Sequence, residues 1–368
     1  MVKHRPFFSI VIACYNPSKY LPTALLSVVQ QHLPEDIEVI LSDDHSTENY
    51  DDIVEMFSKY IHIKRTITDY NFAPGNTREK GTEIATGQWL MFLDQDDQLY
   101  PDTLVQVMAT IQNEGEQIYA VSDFNEVYPD GSICREFRAN LSWCHGKFYN
   151  LDNMWKFFDM HFKKDFPSHE DIYICSMSNC IMRLLNDRQP LYVPVVTYRW
   201  NVNNESLTHS KFVAEAGSHN YLESLFRDYL ESTAYVYYRQ YALGNIDKEY
   251  AFSSMVEVLC YCYFYMQGFK FHDPEGYIKK NVDYCVELLK GIKLSFGITN
   301  KDIYNLLAAN DAEAYMFIRK SAEVGSGPCI YSETLMQWLD SLWSDDLPIE
   351  DSFTIEYPSS RETITSQH

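Results

Sequence analysis

The stretch that most constrains this chain is Gln88-Trp89-Leu90-Met91-Phe92-Leu93-Asp94-Gln95-Asp96-Asp97, in which five apolar residues stop against three carboxylates. A short apolar run bounded by Gly87 predicts a strand buried on both faces, as in a parallel sheet. Ligands of open α/β sheets sit at the carboxyl ends of the strands, so these acids are expected at the ligand edge. Crowded carboxylates repel one another unless a cation or hydrogen-bond donors compensate. Hard oxygen donors suit Mg²⁺ or Mn²⁺ held jointly with substrate phosphates. The competing reading is a solvated acidic turn before a helix starting near Pro101, with Asp102 in its first turn.

Other segments repeat the pattern. Residues 7–14 form an uncharged, β-branched first strand, closed by Tyr15-Asn16-Pro17, and Ser18 is placed to cap a helix running to about Gln31. Residues 37–42 form a second strand ending at Asp43-Asp44, followed by a helix from about Tyr50 to Tyr60. A third strand is expected over residues 61–67, and a helix over residues 76–85 leads into the central strand. Such alternation predicts a parallel, right-handed α/β sheet with two acid-tipped strands. No glycine-rich phosphate loop follows the first strand, which counts against a Rossmann dehydrogenase or a P-loop enzyme.

Four segments in order, SIVIACYN (residues 9–16), EVILSDDHST (residues 38–47), Asn76–Arg78 with Gly81 and Gly87, and FLDQDD (residues 92–97), resemble the signatures of family 2 glycosyltransferases. The resemblance covers roughly residues 7–210. It implies a GT-A fold and inverting transfer from a nucleotide sugar, with Mn²⁺ or Mg²⁺ as cofactor and a UDP-sugar as donor. Carried over, it gives Asp44 a hydrogen bond to the uracil, with Asp43 in support, and has the main chain at Ala13 and Tyr15 frame the nucleoside. Arg78 falls near the base or phosphates, Asp94 on the ribose, and Asp96 on the cation beside Asp94. For Arg78 the alternative is an exposed helix charge; for Asp43-Asp44 it is a helix cap.

Further along, a helix is expected over residues 101–113 and a strand over residues 118–122 ending at Asp123. Tyr128-Pro129-Asp130-Gly131 predicts a turn joining residues 124–127 and 132–137 as a hairpin. Trp143 to Tyr149 is similar to an HGK-aromatic element of the family. His145 and Lys147 thereby become candidates to face the donor sugar or phosphate, against Lys147 as a solvated strand charge.

Glu170-Asp171 matches the family's ED motif, which implies Asp171 as the base for the acceptor hydroxyl and Glu170 as its orienter or an acceptor contact. A carboxylate suits that task, since it need only take the proton as the hydroxyl attacks. Acids at a helix start also stabilise the helix dipole, so a capping role competes. A last strand over residues 193–199 is expected to open into a polar loop resembling one that closes over the diphosphate, with Arg199 and His209 as phosphate contacts.

From about residue 213 helical patterns separated by Gly, Pro and Asn predict an all-helical domain to residue 345, after a GT-A domain over residues 1–212. Residues 346–368 have the polar composition of a flexible tail. The helical domain is a candidate acceptor-site or homo-oligomer surface.

The net charge of −22, from 30 basic and 52 acidic residues, disfavours nucleic acid and anionic membranes as partners. The nine cysteines include no CxxC pair, and no apolar run reaches the ~20 residues of a membrane span. A cytoplasmic protein, at most peripheral to a membrane, is expected. The function expected is transfer of a hexose or N-acetylhexosamine to a glycan, a lipid-linked saccharide or a protein side chain. Alternatives are a non-catalytic nucleotide- or glycan-binding module and a nucleotidyltransferase.

Overall fold

A computed structural model describes residues 4–70, 74–141, 143–156 and 189–203, with scattered positions between 174 and 185 and between 236 and 251. The chain divides into two compact units, residues 1–218 and 219–368. Most of the helical domain expected over residues 213–345, and the tail after it, lies outside the described residues.

The first unit is built on a nine-stranded mixed sheet. Strands β1 (Phe8–Cys14), β2 (Ile37–Asp43), β3 (His62–Ile67) and β4 (Trp89–Asp94) pair in parallel in the order β3-β2-β1-β4. The apolar runs of β1, β2 and β4 are buried on both faces, as their unbroken hydrophobicity requires. Helix α1 (Leu21–Val29) contributes Leu21, Ala24, Leu25 and Val28 to the core, a helical spacing. Its entry differs from expectation: Tyr20 is the N-cap residue and makes no side-chain cap bond, while the Ser18 N–H donates to Glu48 Oε1 at 2.6 Å. Asn16, in the left-handed region at φ 45°, turns the chain before Ser18 can cap anything.

Helix α2 covers Asp51–Phe57 and helix α3 covers Pro74–Glu83. α3 lies against β1 and β2 because Gly81 lacks a side chain: a Cβ there would stand 2.5 Å from Val11 Cγ1 and 3.2 Å from Ser42 Cβ. Beyond β4 the sheet departs from the parallel expectation. The sequence continues through β5 (Gln98–Leu99), α4 (Thr103–Asn113), β6 (Tyr119–Val127), β7 (Ile133–Phe137), β8 (Lys147–Asn150), one π-helical turn (Leu151–Lys156) and β9 (Leu191–Asn201). β8 runs antiparallel to both β4 and β6, β9 runs parallel to β6, and β5 closes the order antiparallel to β9. Asp102, expected in the first turn of α4, is its N-cap residue, left-handed at φ 58° with its carboxylate on His32.

The strand expected to end at Asp123 continues to Val127 as β6. Asp123 is tolerated inside it because its carboxylate accepts the Ala139 N–H and the Tyr192 hydroxyl, both at 3.0 Å, and the pairing with β9 shifts register there. The predicted turn forms: Gly131 sits at φ 87° and its N–H donates to Tyr128 O at 2.9 Å.

At the opposite edge of the sheet from the acids, one carboxylate ties the strands together. Glu38 on β2 is fully buried; its Oε1 accepts Ser9 Oγ at 2.5 Å and the Thr86 and Gly87 N–H groups at 2.6 and 3.1 Å. Its Oε2 accepts the Thr86 hydroxyl at 2.8 Å and meets Lys64 Nζ at 2.7 Å. Burial pushes this carboxyl up, but Lys64, Ser9 and Thr86 outweigh it and hold it below its ordinary value of 4.5. The stabilisation is therefore complete above that ordinary value and is lost as pH falls through the lowered one. Glu38→Ala is expected to cost about 3 kcal/mol in urea unfolding at neutral pH, since it strands several buried donors and Lys64. The difference between variant and wild type should shrink as the titration is repeated at acid pH.

Candidate active site

The strand order brings the acids to one edge. β1 lies between β2 and β4, with Cys14 in register with Asp43 and Ala13 in register with Asp94. The order β3-β2-β1-β4 puts the reversal of winding between β1 and β4, where open α/β sheets bind ligands. The loops at that edge are laced to one another. Gln95 holds Tyr15 by both backbone groups, accepting its N–H at 2.9 Å and donating to its carbonyl at 3.1 Å. Asn16 Oδ1 accepts the Thr47 N–H at 2.9 Å, and the Asn16 N–H donates to Ser46 Oγ at 2.9 Å. The Tyr15 side chain is left exposed at the edge.

Asp43 and Asp44 are both buried. Asp43 is consumed locally: Oδ1 accepts the Ser46 N–H at 2.7 Å and Oδ2 accepts the Tyr50 hydroxyl at 2.5 Å. It thus shapes the turn that carries Asp44. The Asp44 N–H donates to Cys14 O at 2.7 Å, and the Thr68 hydroxyl stands 3.1 Å from its Oδ1 and 2.8 Å from Tyr70 O.

At the end of β4, Arg78 reaches across from α3 to Asp94, with Nη2 2.5 Å from Oδ1. Arg78 is buried, which removes the reading of an exposed helix charge. His145 Nε2 lies 3.9 Å from Asp94 Oδ2. Burial pushes the Asp94 carboxyl up, but Arg78 and then His145 outweigh it and hold it well below the usual carboxylate range. Asp97 goes the other way: burial first, then the charges of Asp96 and Asp94, push it well above that range against the Asn201 and Tyr198 hydrogen bonds.

The end of β9 grips this acidic turn. The Tyr198 hydroxyl donates to Asp97 Oδ2 at 2.7 Å and accepts the Asp94 N–H at 3.1 Å. The Asn201 N–H donates to Asp97 Oδ1 at 2.8 Å, and its side-chain amide donates to the Asp96 carbonyl at 2.8 Å. Asn203 Nδ2 donates to Asp96 Oδ2 at 3.0 Å. The solvated acidic turn is thereby excluded: Asp97 is buried with both oxygens engaged, and only Asp94 and Asp96 retain partial exposure.

Among the described residues, the ligand-type atoms of Asp94, Asp97 and His145 lie within 4.8 Å of one another. Asp96 is outside that group. Asp97 is the poorer candidate, since Asn201 and Tyr198 already use its oxygens. A hard, mostly carboxylate donor set at a half-exposed edge fits Mg²⁺ or Mn²⁺.

His145 is packed against aromatics, stacked on Trp200 at 5.1 Å and tilted against Tyr198 at 4.7 Å between centroids. Lys147 is not a solvated strand charge. It is fully buried, and its ammonium donates to the carbonyls of Asn140 and His145, pinning the turn that carries His145. Gly146 in that turn sits at φ 65° with Ser122 Oγ 2.8 Å from where a Cβ would be, so no side chain fits there. Arg199 lies within β9, which runs two residues past the expected strand end, and its Nε donates to Asn201 Oδ1 at 2.9 Å. Glu170, Asp171 and His209 lie outside the described residues. The site members that sequence reasoning passed over as site residues are Gln95, Asp97, Tyr198, Asn201 and Asn203. For Asp97 the signal was present in the acidic run; for the asparagines it was only a polar segment after a strand.

A mixed α/β sheet with acid-tipped parallel strands around β1 defines a nucleotide-sugar transferase fold of the GT-A type. Residues 9–183 match the sequence model of glycosyl transferase family 2. The solved structure of Staphylococcus aureus TarS residues 1–349 is similar in fold, with a TM-score of 0.60 over 87% of this chain and 92% of that one at 18% identity. In sequence, the poly(ribitol-phosphate) beta-N-acetylglucosaminyltransferase TarS of S. aureus is 26% identical over 178 residues, 45% of this chain and 31% of TarS. A PGL/p-HBAD biosynthesis glycosyltransferase of Mycobacterium tuberculosis is 37% identical over 108 residues, 29% of this chain and 42% of that one. The chain thus spans less than half the length of these curated relatives. Among the described residues no helix is long and apolar enough to cross a membrane.

Tyr198→Phe removes one hydroxyl that serves both the buried Asp97 carboxyl and the part-buried Asp94 N–H. It is expected to cost about 1–3 kcal/mol in denaturant unfolding, a larger loss than a single exposed hydrogen bond would give.

Proposed function

We propose that this domain transfers a hexose or N-acetylhexosamine from a UDP-sugar, with inversion and with a divalent cation, to a glycan, lipid-linked saccharide or protein acceptor. The observation that carries the proposal is the meeting of Asp44, Asp94 and Asp96 at the ends of β2 and β4, on either side of the end of β1. A nucleoside diphosphate has a base and an anionic tail, and this edge offers a buried acceptor for the one and a cation site for the other. The solved TarS 1–349 fold is also recorded with UDP and with UDP-GlcNAc, and the name of TarS favours an N-acetylglucosamine donor.

In this reading Asp44 accepts the uracil N–H while Asp43 holds its turn, and the main chain at Ala13 and Tyr15 frames the nucleoside. Asp94, aligned by Arg78 and His145, receives the ribose hydroxyls. Asp96, with Asp94 beside it, holds Mn²⁺ or Mg²⁺, which when bound neutralises charge on the departing diphosphate. Arg199 and His209 remain proposed phosphate contacts. Asp171 takes the proton of the attacking acceptor hydroxyl, and Glu170 orients that acceptor.

Asp44→Ala is expected to raise KM for the UDP-sugar and weaken UDP binding by calorimetry while kcat holds, because a hydrogen bond to the base acts equally in ground and transition states. Wild-type UDP affinity in that variant would leave Asp44 a purely structural acid.

The reaction itself is tested by incubating the protein with UDP-GlcNAc and Mn²⁺ and measuring UDP release. Asp171→Asn should lower turnover by about 10²–10⁴-fold with UDP affinity and melting temperature near wild type. A helix cap alone would cost only about 0.5–2 kcal/mol of stability and leave turnover standing. UDP binding without release of UDP from any nucleotide sugar would instead mark a non-catalytic binding module.

A further inference from the structure

The two asparagines after Arg199 are arranged alike. Each amide oxygen accepts a hydrogen bond, and each amide nitrogen donates to Asp96. Arg199 Nε donates to Asn201 Oδ1 at 2.9 Å, which turns its Nδ2 to the Asp96 carbonyl at 2.8 Å. The Tyr20 hydroxyl, at the start of α1, donates to Asn203 Oδ1 at 3.4 Å, which turns its Nδ2 to Asp96 Oδ2 at 3.0 Å. An arginine can only donate, so the orientation of the Asn201 amide follows from its partner. Asn201 fixes the backbone of Asp96, and Asn203 fixes the rotation of its carboxylate. Asn201 ends β9 and Asn203 follows it, both more than 100 residues downstream in sequence.

We propose that Asn203 is a positioning residue for the divalent cation: its amide sets the Asp96 carboxylate in the orientation that receives the ion, with Tyr20 fixing the amide. The inference rests on the reading of Asp96 as a cation ligand. Partners that orient a ligand from behind typically govern metal affinity by 10–100-fold. A half-exposed Asp with no such partner would spread over several rotamers and would have to be ordered by the ion itself.

The test measures how much Mn²⁺ is needed to support UDP binding, by calorimetry with UDP over a Mn²⁺ series, with an EDTA control. Mn²⁺ bound to the protein is read separately by electron paramagnetic resonance. Asn203→Leu keeps the shape and removes the donor; it is expected to raise the required Mn²⁺ by about 10–100-fold. Its melting temperature and its UDP binding in EDTA should stay at the wild-type level. Asn203→Gln, which retains a donor, should recover part of the loss. Asp96→Asn is the control for the underlying reading. If Asp96→Asn abolishes Mn²⁺ support while Asn203→Leu does not change it, the positioning role is overturned and the cation reading stands. If Asp96→Asn also leaves Mn²⁺ support unchanged, Asp96 does not hold the ion and the proposal falls with it. Equal losses in the Leu and Gln variants, with a lowered melting temperature, would overturn it in favour of a packing role.

Discussion

Mutual repulsion among Asp94, Asp96 and Asp97 is the constraint that the rest of the domain answers. At neutral pH three carboxylates within four residues cannot all stay charged and buried without compensation. The structure compensates them separately. Asp94 receives a cation, Arg78, from α3. Asp97 receives two neutral donors, and burial beside its neighbours favours its protonated form. Asp96 stays at the surface of the cluster with one oxygen on Asn203. Three acids within four residues therefore sit in three different environments. That sorting depends on α3 reaching the site over Gly81 and on β9 closing against β5 and β6.

The sequence made the first half of this arrangement legible because its information is local. A buried parallel strand needs an unbroken apolar run, and β1, β2 and β4 each have one followed at once by polar residues. That Asp43-Asp44 and Asp94–Asp97 fall at the same edge of the sheet follows from the parallel strand alternation. What could not be read is the half that depends on distant partners. Lys147 looks like a strand charge until the turn at Gly146 brings the Asn140 and His145 carbonyls over its ammonium. β6 looks broken at Asp123 because the donors to that carboxylate, Ala139 N–H and Tyr192 O–H, are not its neighbours in sequence. Tyr198, Asn201 and Asn203 carry no motif; their meaning lies in their contact with a turn some hundred residues earlier.

The aromatic packing explains how the far side of the site is kept rigid. Phe124 stacks on Phe137 at 4.4 Å, and Trp143 and Trp200 flank the His145 ring. With Lys147 holding the His145 carbonyl, the ring is fixed by this packing, its Nε2 3.9 Å from Asp94 Oδ2. Burial is the first influence on His145 and lowers its basicity, which the Asp94 charge opposes. The ring thus acts on Asp94 as a fixed dipolar neighbour as much as an ion-pair partner.

The two ends of the sheet hold their acids in different ways. Glu38 and Asp96 are both carboxylates, yet they differ in burial. Glu38 is fully buried and has donors from β1, β3 and the turn before β4 on its two oxygens. A ligand could engage it only by breaking bonds that hold the strands, which makes it unavailable for chemistry. Asp96 has its backbone and one oxygen fixed by asparagines, while its side chain keeps partial exposure. Neutral amides hold a carboxylate without neutralising it, where a lysine such as Lys64 would compete with an incoming cation. A site that binds and releases a charged ligand is better served by amide positioning than by a salt bridge, and Asn201 and Asn203 supply such amides at Asp96.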